Sequence, residues 1–193
     1  KNYRSTTSIV GASNALMSGS GSTGPEGVAV SNRSGSTRLW VLEEFQASLA
    51  EQDDHGSDVL TAAVLRLLKE HLDGGRDVVL LSRTNEVKPG LNIYKYEQHL
   101  RSLLDRQRRP RVTVSTTHRY KGLEKDAVII LDASIRRYPL IHPDSKYQRA
   151  FGDTEMTITD AEKRLFYVAL TRARSSLDIL TTREDERSPF LEC

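Results

Sequence analysis

The sequence lacks the cysteines, long apolar runs and signal peptide that mark disulfide-rich, membrane and secreted proteins. Its one cysteine is Cys193, at the very end of 193 residues, which excludes an internal disulfide framework and a cysteine-based metal site. No apolar run approaches the roughly 18 residues of a membrane span. Lys1 leads into polar residues rather than into the apolar core of a signal peptide. We therefore expect a protein of a reducing, cytoplasmic compartment with no membrane association.

Charge of one sign is also lacking. The chain has 28 basic and 26 acidic residues, and its formal charge of +2 is too small to indicate nucleic acid by itself. Basic residues nevertheless cluster at 101–111 and 172–174. With 37% hydrophobic residues, the chain can bury the core of one domain. It does not begin with Met, so we expect a fragment of a longer protein.

Short apolar runs alternate with amphipathic stretches along the chain. Strands are predicted at 27–31, 38–45, 77–81, 112–114, 128–131 and 176–181, the first two as a hairpin or strand pair, and helices at 8–17, 58–72, 94–108 and 159–170. The second helix is expected to end at Gly74-Gly75, and the third to turn Tyr94, Leu100, Leu103 and Leu104 inward. Ser57 or Asp58 is the expected N-cap of the second helix, and Thr159 or Asp160 that of the fourth. Wholly apolar strands between helices predict an α/β fold, with a mostly parallel sheet and helices on both faces.

Three stretches have loop-like or tail-like composition. Residues 18–26 are rich in Gly and Ser, residues 134–157 are irregular and aromatic-basic, and residues 183–193 are charged. We expect the first two to be flexible loops and the third to be a frayed tail.

Polar side chains concentrate after or between the predicted strands. They form three clusters, at Arg83 with Asn85, at 116–124, and at Arg172 with Arg174. The ends of parallel strands meet at one edge of a sheet, so the clusters are predicted to converge there. Such donors are typical of phosphate contacts, with Gly122 allowing close backbone approach and Glu124 accepting from a sugar hydroxyl. The alternative is a purely structural sheet edge.

The parts that complete an NTPase are missing from this sequence. It contains no GxxxxGK[ST] phosphate loop, and no acidic pair follows a strand in a way that would hold Mg²⁺. Those parts cradle the β- and γ-phosphates in such enzymes. The chain alone is therefore not a complete ATPase.

Four segments resemble, in order, motifs of the UvrD/Rep-type superfamily 1 DNA helicases. Residues 2–6 (NYRST) resemble the NYRS motif, and residues 79–85 (VLLSRTN) the LxRTN segment. Residues 115–124 (STTHRYKGLE) are similar to TxHxxKGLE, and residues 162–174 (EKRLFYVALTRAR) to the final EERRLFYVALTRAR motif. The resemblance implies that residues 1–182 are the C-terminal, second RecA-like motor domain of such a helicase.

The resemblance also implies roles for individual residues. Arg4 and Arg172 would reach the γ-phosphate of ATP, Arg172 as the arginine finger, while Gly122 and Glu124 would lie at the nucleotide. The implied contacts with single-stranded DNA are Arg83, Asn85, Thr116, His118 and Lys121. Arg164 and Tyr167 also match the final motif, either in a direct role or as helix support. The N-terminal RecA-like domain of the same protein would be the partner and would hold Mg²⁺.

One departure from the family pattern concerns an accessory domain. Many members insert it between the LxRTN and TxHxxKGLE segments, but only 30 residues (86–115) separate Asn85 from Thr116 here. The insertion is therefore absent, either naturally or by engineering. The rival hypothesis is a non-catalytic helicase-like module that binds DNA or protein in a nuclease or repair complex. A third is a nucleotide-binding α/β domain unconnected to DNA.

Overall fold

A computed structural model describes residues 5–18, 29, 35–46, 48, 58–141, 155–183 and 186–192. The predicted strand residues 27–31, apart from Ala29, and the loop at 19–26 lie outside this description. The helices are α1 (Thr7–Ser18), α2 (Val59–Asp73), α3 (Ile93–Ser102) and α4 (Glu155–Leu170). The strands are β1 (Ser36–Val41), β2 (Val78–Ser82), β3 (Glu86–Lys88), β4 (Leu91–Asn92), β5 (Val112–Thr116), β6 (Lys125–Ile130) and β7 (Ala173–Thr181).

Five strands form the main sheet, in the order β1-β7-β6-β2-β5. All four neighbouring pairs are parallel, while β3 and β4 form a separate antiparallel hairpin. Because the five strands run the same way, all begin at one edge of the sheet, here called the N-terminal edge. All end at the opposite, C-terminal edge.

Alternate residues of the buried strands serve two hydrophobic cores, one on each face of the sheet. Val78 and Leu80 pack in a cluster with residues of α2 and α3. Val79 and Leu81 pack in a second cluster with residues of α1 and α4. Successive side chains of a strand point to opposite faces, so a wholly apolar strand fits a sheet covered on both sides. The predicted α/β, RecA-like arrangement is confirmed. No described helix is long and apolar enough to cross a membrane.

The boundaries of α2 follow the predicted signals. The Asp58 side chain accepts a hydrogen bond from the backbone N–H of Thr61 at 3.0 Å, as an N-cap does. The helix ends at Gly74, whose N–H donates to the carbonyl of Glu70. Lys88 also pairs with Asp58. Burial on its own would raise the pKa of Asp58, but the hydrogen bonds from Lys88 and Thr61 outweigh it and hold the pKa below its ordinary value.

Two helix predictions need correction. Helix α3 ends at Ser102 rather than Arg108, and its buried residues include Tyr96, whereas the predicted inward residues Tyr94 and Leu103 are 58% and 41% exposed. Asn92 caps the helix, its side chain accepting from the N–H of Lys95, and this start fixes a different inward face. Helix α4 begins at 155, so neither predicted N-cap residue caps it.

Parts of the predicted flexible loop and frayed tail pack against the domain. Tyr138 and Ser188 are fully buried. The Ser188 N–H donates to the carbonyl of Ala133 at 2.9 Å, and Phe190 joins the cluster around α1 and α4. Burial of two aromatic rings outweighs the polar composition around them. Residues 142–154 of that loop lie outside the described ranges.

Strand β5 lies at one side of the sheet, and helix α3 covers its outer backbone groups. The Glu97 carboxylate accepts from the N–H of Val114 at 2.6 Å. The Arg101 guanidinium donates to the carbonyl of Val112 at 2.7 and 3.2 Å. Side chains of the domain itself thus satisfy groups that another strand would otherwise pair with.

A buried polar cluster joins β1, β7 and α2. The Asp178 carboxylate, fully buried, accepts from His71 Nε2 at 2.6 Å, Arg38 Nε at 2.7 Å and Trp40 Nε1 at 2.8 Å. Arg76 Nε donates to the other ring nitrogen of His71, which assigns the Nε2–H tautomer. The Asp178 carboxylate, the His71 imidazole and the Trp40 indole therefore each have a partner, as burial requires, whereas Arg38 Nη2 is buried without one.

Candidate functional site

The C-terminal edge holds the side chains that follow β2 and β5. Arg83 and Asn85 follow the end of β2. Strands β2 and β5 pair in parallel, and their last paired residues are Ser82 and Thr116. Asn85 and His118 are exposed. Thr116 is buried, and its hydroxyl oxygen accepts from the N–H of Arg119 at 3.2 Å. This edge therefore brings together four of the five residues predicted to contact DNA.

Arg83 is held by a carboxylate from α4. Its guanidinium makes a bidentate pair with Glu162, with distances of 2.8 Å from Nε and 2.6 Å from Nη2. Each side chain is only 11% exposed. Glu162 also accepts from the N–H of Leu140 at 3.1 Å. A DNA contact by Arg83 stays a prediction, and it requires the guanidinium to share or exchange this partner.

Residues 117–124 connect β5 to β6 across one face of the sheet. Both strands pair with β2, from opposite sides, in parallel, so the connection must return from the C-terminal edge to the N-terminal edge. It does so in a series of turns without a helix. Tyr120 packs into the cluster around α1 and α4, which places the crossing on that face of the sheet.

The crossing segment is anchored where it leaves β5. Thr117 is fully buried; its N–H donates to the carbonyl of Ser82, and its hydroxyl lies 2.8 Å from that of Tyr138. Burial raises the pKa of Tyr138, so the phenol stays protonated and available for this hydrogen bond. Sequence reasoning missed Thr117, Tyr138 and Glu162 as organising residues. The only signal in the sequence was Glu162, an acidic residue at the start of the segment that resembles the final helicase motif.

The crossing segment reaches the N-terminal edge at Gly122. Its φ of +91° is a backbone angle that L side chains rarely adopt, and a Cβ there would meet nothing within 4 Å. The backbone conformation is thus one reason for a glycine here, and the predicted close approach of a ligand to Gly122 stays a prediction. Lys121, next to it, is exposed, and its N–H donates to the carbonyl of His118 at 3.3 Å, so it lies one turn along the crossing from that predicted DNA contact.

Glu124 and Arg172 meet at the N-terminal edge. Glu124 accepts from Arg174 Nε at 3.2 Å. The Arg172 guanidinium donates to the carbonyls of Val168 at 2.9 Å and Leu123 at 3.3 Å, and to the Thr171 hydroxyl. The N–H of Lys125 donates to the carbonyl of Arg172, which ties the start of β6 to the start of β7.

The charge of Arg172 is held by neutral oxygens. None of the ion pairs among the described residues includes it, and its side chain is half-buried. A partly desolvated guanidinium with only carbonyl and hydroxyl partners is suited to a further anionic ligand. The residues at this edge therefore fit a nucleotide phosphate.

Arg4 lies outside the described residues. Its neighbour Ser5 is buried, and the Ser5 hydroxyl donates to the carbonyl of Ala173 at 2.9 Å. The residue after Arg4 thus contacts the residue after Arg172, so the first and last motifs meet at the N-terminal edge although 168 positions separate the bonded pair. Arg164 is exposed and Tyr167 is half-buried beside the core.

The prediction that three clusters converge at one edge is wrong. Arg83, Asn85, Thr116 and His118 lie at the C-terminal edge, whereas Glu124 and Arg172 lie at the N-terminal edge. The reason is that Arg172 precedes its strand instead of following it, and residues 117–124 cross the sheet. The arrangement is two sites on opposite edges, joined by one short segment.

A second set of charges fixes the strand starts. Asp77 pairs with Arg111 Nε at 3.0 Å and Lys125 Nζ at 3.2 Å. Burial on its own would raise the pKa of Asp77, but the hydrogen bonds from these two cations outweigh it and hold the pKa below its ordinary value. Among the residues described, no group of three His, Cys, Asp or Glu side chains could hold a metal ion.

The Glu162 pair predicts a measurable loss of stability. Glu162→Gln removes a charge that faces a desolvated guanidinium, and hydrogen bonds to charged groups contribute about 1.5–3 kcal/mol. We expect the free energy of unfolding, measured by urea denaturation, to fall by about that amount. Asp73→Asn removes an exposed partner of Arg108 and is the matched control, with an expected change of about 0–1 kcal/mol. Equal effects of the two substitutions would contradict the burial argument.

Two comparisons with known proteins returned a match. Residues 91–184 match the model of the UvrD-like helicase C-terminal domain family. Among solved structures, the chain is similar to the C-terminal domain of a possible DNA helicase from Lactobacillus plantarum WCFS1, with a TM-score of 0.54 and 17% identity. That match covers 99% of this chain and 92% of the other, and at this identity it supports the fold alone. A search among curated proteins returned no significant match.

Proposed function

We propose that this chain, whose residues 91–184 match the model of the UvrD-like helicase C-terminal domain family, is the C-terminal motor half of an ATP-dependent DNA helicase or translocase. The observation that carries the proposal is the segment 117–124. It runs from the residues predicted to contact DNA at one edge of the sheet to those predicted to contact the nucleotide at the other. A motor that couples nucleotide state to DNA grip needs such a connection.

The nucleotide site in this proposal lies at the N-terminal edge. Arg172 acts as the arginine finger towards the γ-phosphate of ATP bound between this chain and an N-terminal RecA-like domain of the same protein. Arg4 assists it, and Gly122 and Glu124 lie at the nucleotide. Support comes from the neutral oxygens around Arg172, which leave its charge for the phosphate. Mg²⁺ is assigned to the N-terminal domain.

The single-stranded DNA track in this proposal lies at the C-terminal edge. Thr116, His118 and Asn85 contact the DNA backbone there, with Arg83 joining them and Lys121 contacting the strand more peripherally. Exposed His118 and Asn85 are accessible to a phosphate, and hydroxyl, amide and cationic donors suit phosphate oxygens. Contacts of this kind position the strand without reading its sequence, as a translocase requires.

Coupling between the sites follows from the anchoring of the crossing segment. Tyr120 is buried on the sheet and Thr117 is hydrogen-bonded to Tyr138, so the segment cannot shift at one end without strain at the other. A change in the position of Leu123 or Glu124 on nucleotide binding is therefore transmitted to His118 over a few residues.

The proposal is tested by measuring ATP hydrolysis with and without single-stranded DNA. The 193-residue chain alone is expected to hydrolyse no ATP, because its sequence lacks a phosphate loop. The protein that includes the N-terminal motor domain is expected to show hydrolysis stimulated by DNA. Robust hydrolysis by the chain alone would contradict the half-site assignment. DNA binding without hydrolysis by the longer protein would favour the rival non-catalytic module.

A further inference from the structure

Tyr94 is exposed without a packing reason. It lies in the first turn of α3, and its side chain is 58% exposed, whereas Tyr96 on the inward face is fully buried. The core contacts of α3 are supplied by Ile93, Tyr96 and Leu100. The Tyr94 ring is therefore accessible at the surface beside the candidate site.

Arg119 holds this ring in place. Its guanidinium lies over the Tyr94 ring, 5.4 Å from the centroid, and donates a hydrogen bond to the Tyr94 hydroxyl. The backbone N–H of Arg119 donates to the hydroxyl oxygen of Thr116 at 3.2 Å. The arginine is therefore fixed at both ends, and with it the orientation of the tyrosine.

The pair lies among the residues proposed to line the DNA track. The N–H of Ile93, next to Tyr94, donates to the carbonyl of Asn85 at 2.9 Å. Arg119 follows His118 directly and contacts Thr116. The aromatic surface thus adjoins Asn85, Thr116 and His118, which are proposed to contact the DNA backbone. Of these three side chains, only the His118 imidazole has a ring face that a nucleobase could stack on.

Charge around the pair favours a polyanion. His118, Lys95 and Arg119 are exposed. The exposed carboxylate nearby, Glu86, accepts from the N–H of Gly90 at 2.7 Å. An exposed ring beside the two cations Lys95 and Arg119 matches a ligand that combines flat apolar groups with regularly spaced negative charge.

We infer that Tyr94 and Arg119 form a stacking platform for one base of single-stranded DNA. This inference rests on the proposed function, because it assumes that the strand runs along the C-terminal edge. Every base has a π-face, so stacking is tolerant of sequence, and a guanidinium can stack on a base while remaining near a phosphate. The platform supplies grip on the bases, which the phosphate contacts alone do not give.

The experiment compares two labelled oligomers of equal length by fluorescence anisotropy, oligothymidylate and an abasic strand with the same phosphates. Wild-type chain is expected to bind oligothymidylate more tightly. Tyr94→Ala is expected to weaken that binding about tenfold, in line with alanine substitution at stacking sites, and to leave abasic binding unchanged. Tyr94→Phe is expected to retain wild-type affinity. Leu103→Ala, at the other end of α3 and 41% exposed, is the matched control without effect.

The outcomes distinguish failure of the stacking platform from failure of the DNA track. No binding of either oligomer by wild type would overturn both the DNA track and the platform. Binding by wild type with no loss in Tyr94→Ala would overturn the platform and leave the track standing. An equal loss for both oligomers would also overturn the platform, because it would assign Tyr94 to fold or charge rather than to stacking.

Discussion

Arg172→Ala is expected to lower the DNA-stimulated ATPase rate of the protein that includes its N-terminal motor domain by about a thousandfold or more. The guanidinium has carbonyl and hydroxyl partners and no carboxylate among the described residues, so its charge is free to stabilise the transition state for phosphoryl transfer. Single-stranded DNA binding should remain largely intact, because Arg172 lies at the edge of the sheet opposite the proposed track. Steady-state phosphate release and DNA anisotropy measure the two quantities.

Two further variants sharpen this test. Arg172→Lys keeps the charge but loses the planar fork, and it is expected to recover only part of the rate. Arg108→Ala removes a half-exposed arginine that pairs with Asp73 and Asp105, and its rate should match wild type. Near-normal turnover in Arg172→Ala would refute the arginine-finger assignment, and a large loss in Arg108→Ala would point to unfolding.

Asp178→Ala is expected to reduce the free energy of unfolding by about 3–5 kcal/mol, as loss of one partner from a buried charge pair does. The substitution leaves Arg38, His71 and Trp40 donors without their shared acceptor. Urea denaturation measures the change, which is a large share of the roughly 5–15 kcal/mol that stabilises a typical domain. Glu70→Ala removes the exposed partner of the same arginine and should cost about 0–1 kcal/mol. Equal costs would contradict the role of burial.

The same carboxylate predicts a dependence on pH. Burial acts to raise the pKa of Asp178, but hydrogen bonds from His71, Arg38 and Trp40 outweigh it, and the pKa lies below its ordinary value. A carboxylate of this kind stabilises the fold above its unfolded pKa of about 3.9 and loses that contribution as the pH falls through its folded pKa. The difference in unfolding free energy between wild type and Asp178→Ala should therefore shrink as the pH drops below about 3.9.

The sequence predicted the sheet better than the surfaces around it. The apolar runs at 78–81 and 128–131 became buried strands, because a strand that is covered on both faces needs consecutive apolar residues, and such a run is a clear pattern. Asp58 and Gly74 marked the ends of α2 through local chemistry. The phase of α3 could not be predicted in the same way. Its inward face depends on where Asn92 caps the helix, and both Tyr94 and Tyr96 were apolar enough to be buried.

The two-edge arrangement of the site was not predictable from polar spacing. Thr116 and Glu124 are eight positions apart, and only the strand order reveals that β2 lies between the two strands they adjoin. Glu162 and Arg83 are 79 positions apart, and no local sequence pattern in either segment predicts that they form an ion pair. Tyr138 looked like part of an irregular loop because its partner, the Thr117 hydroxyl, comes from another element. These contacts join residues far apart in the sequence, so local sequence patterns do not predict them.

The covering of β5 by Glu97 and Arg101 has a consequence for how this chain associates. A sheet can lengthen indefinitely when its outermost strand offers free N–H and C=O groups to a second molecule, which is the route to fibrous aggregates. Here a helix of the same chain supplies acceptor and donor side chains at that flank. Growth by strand addition is therefore blocked on that side of the sheet.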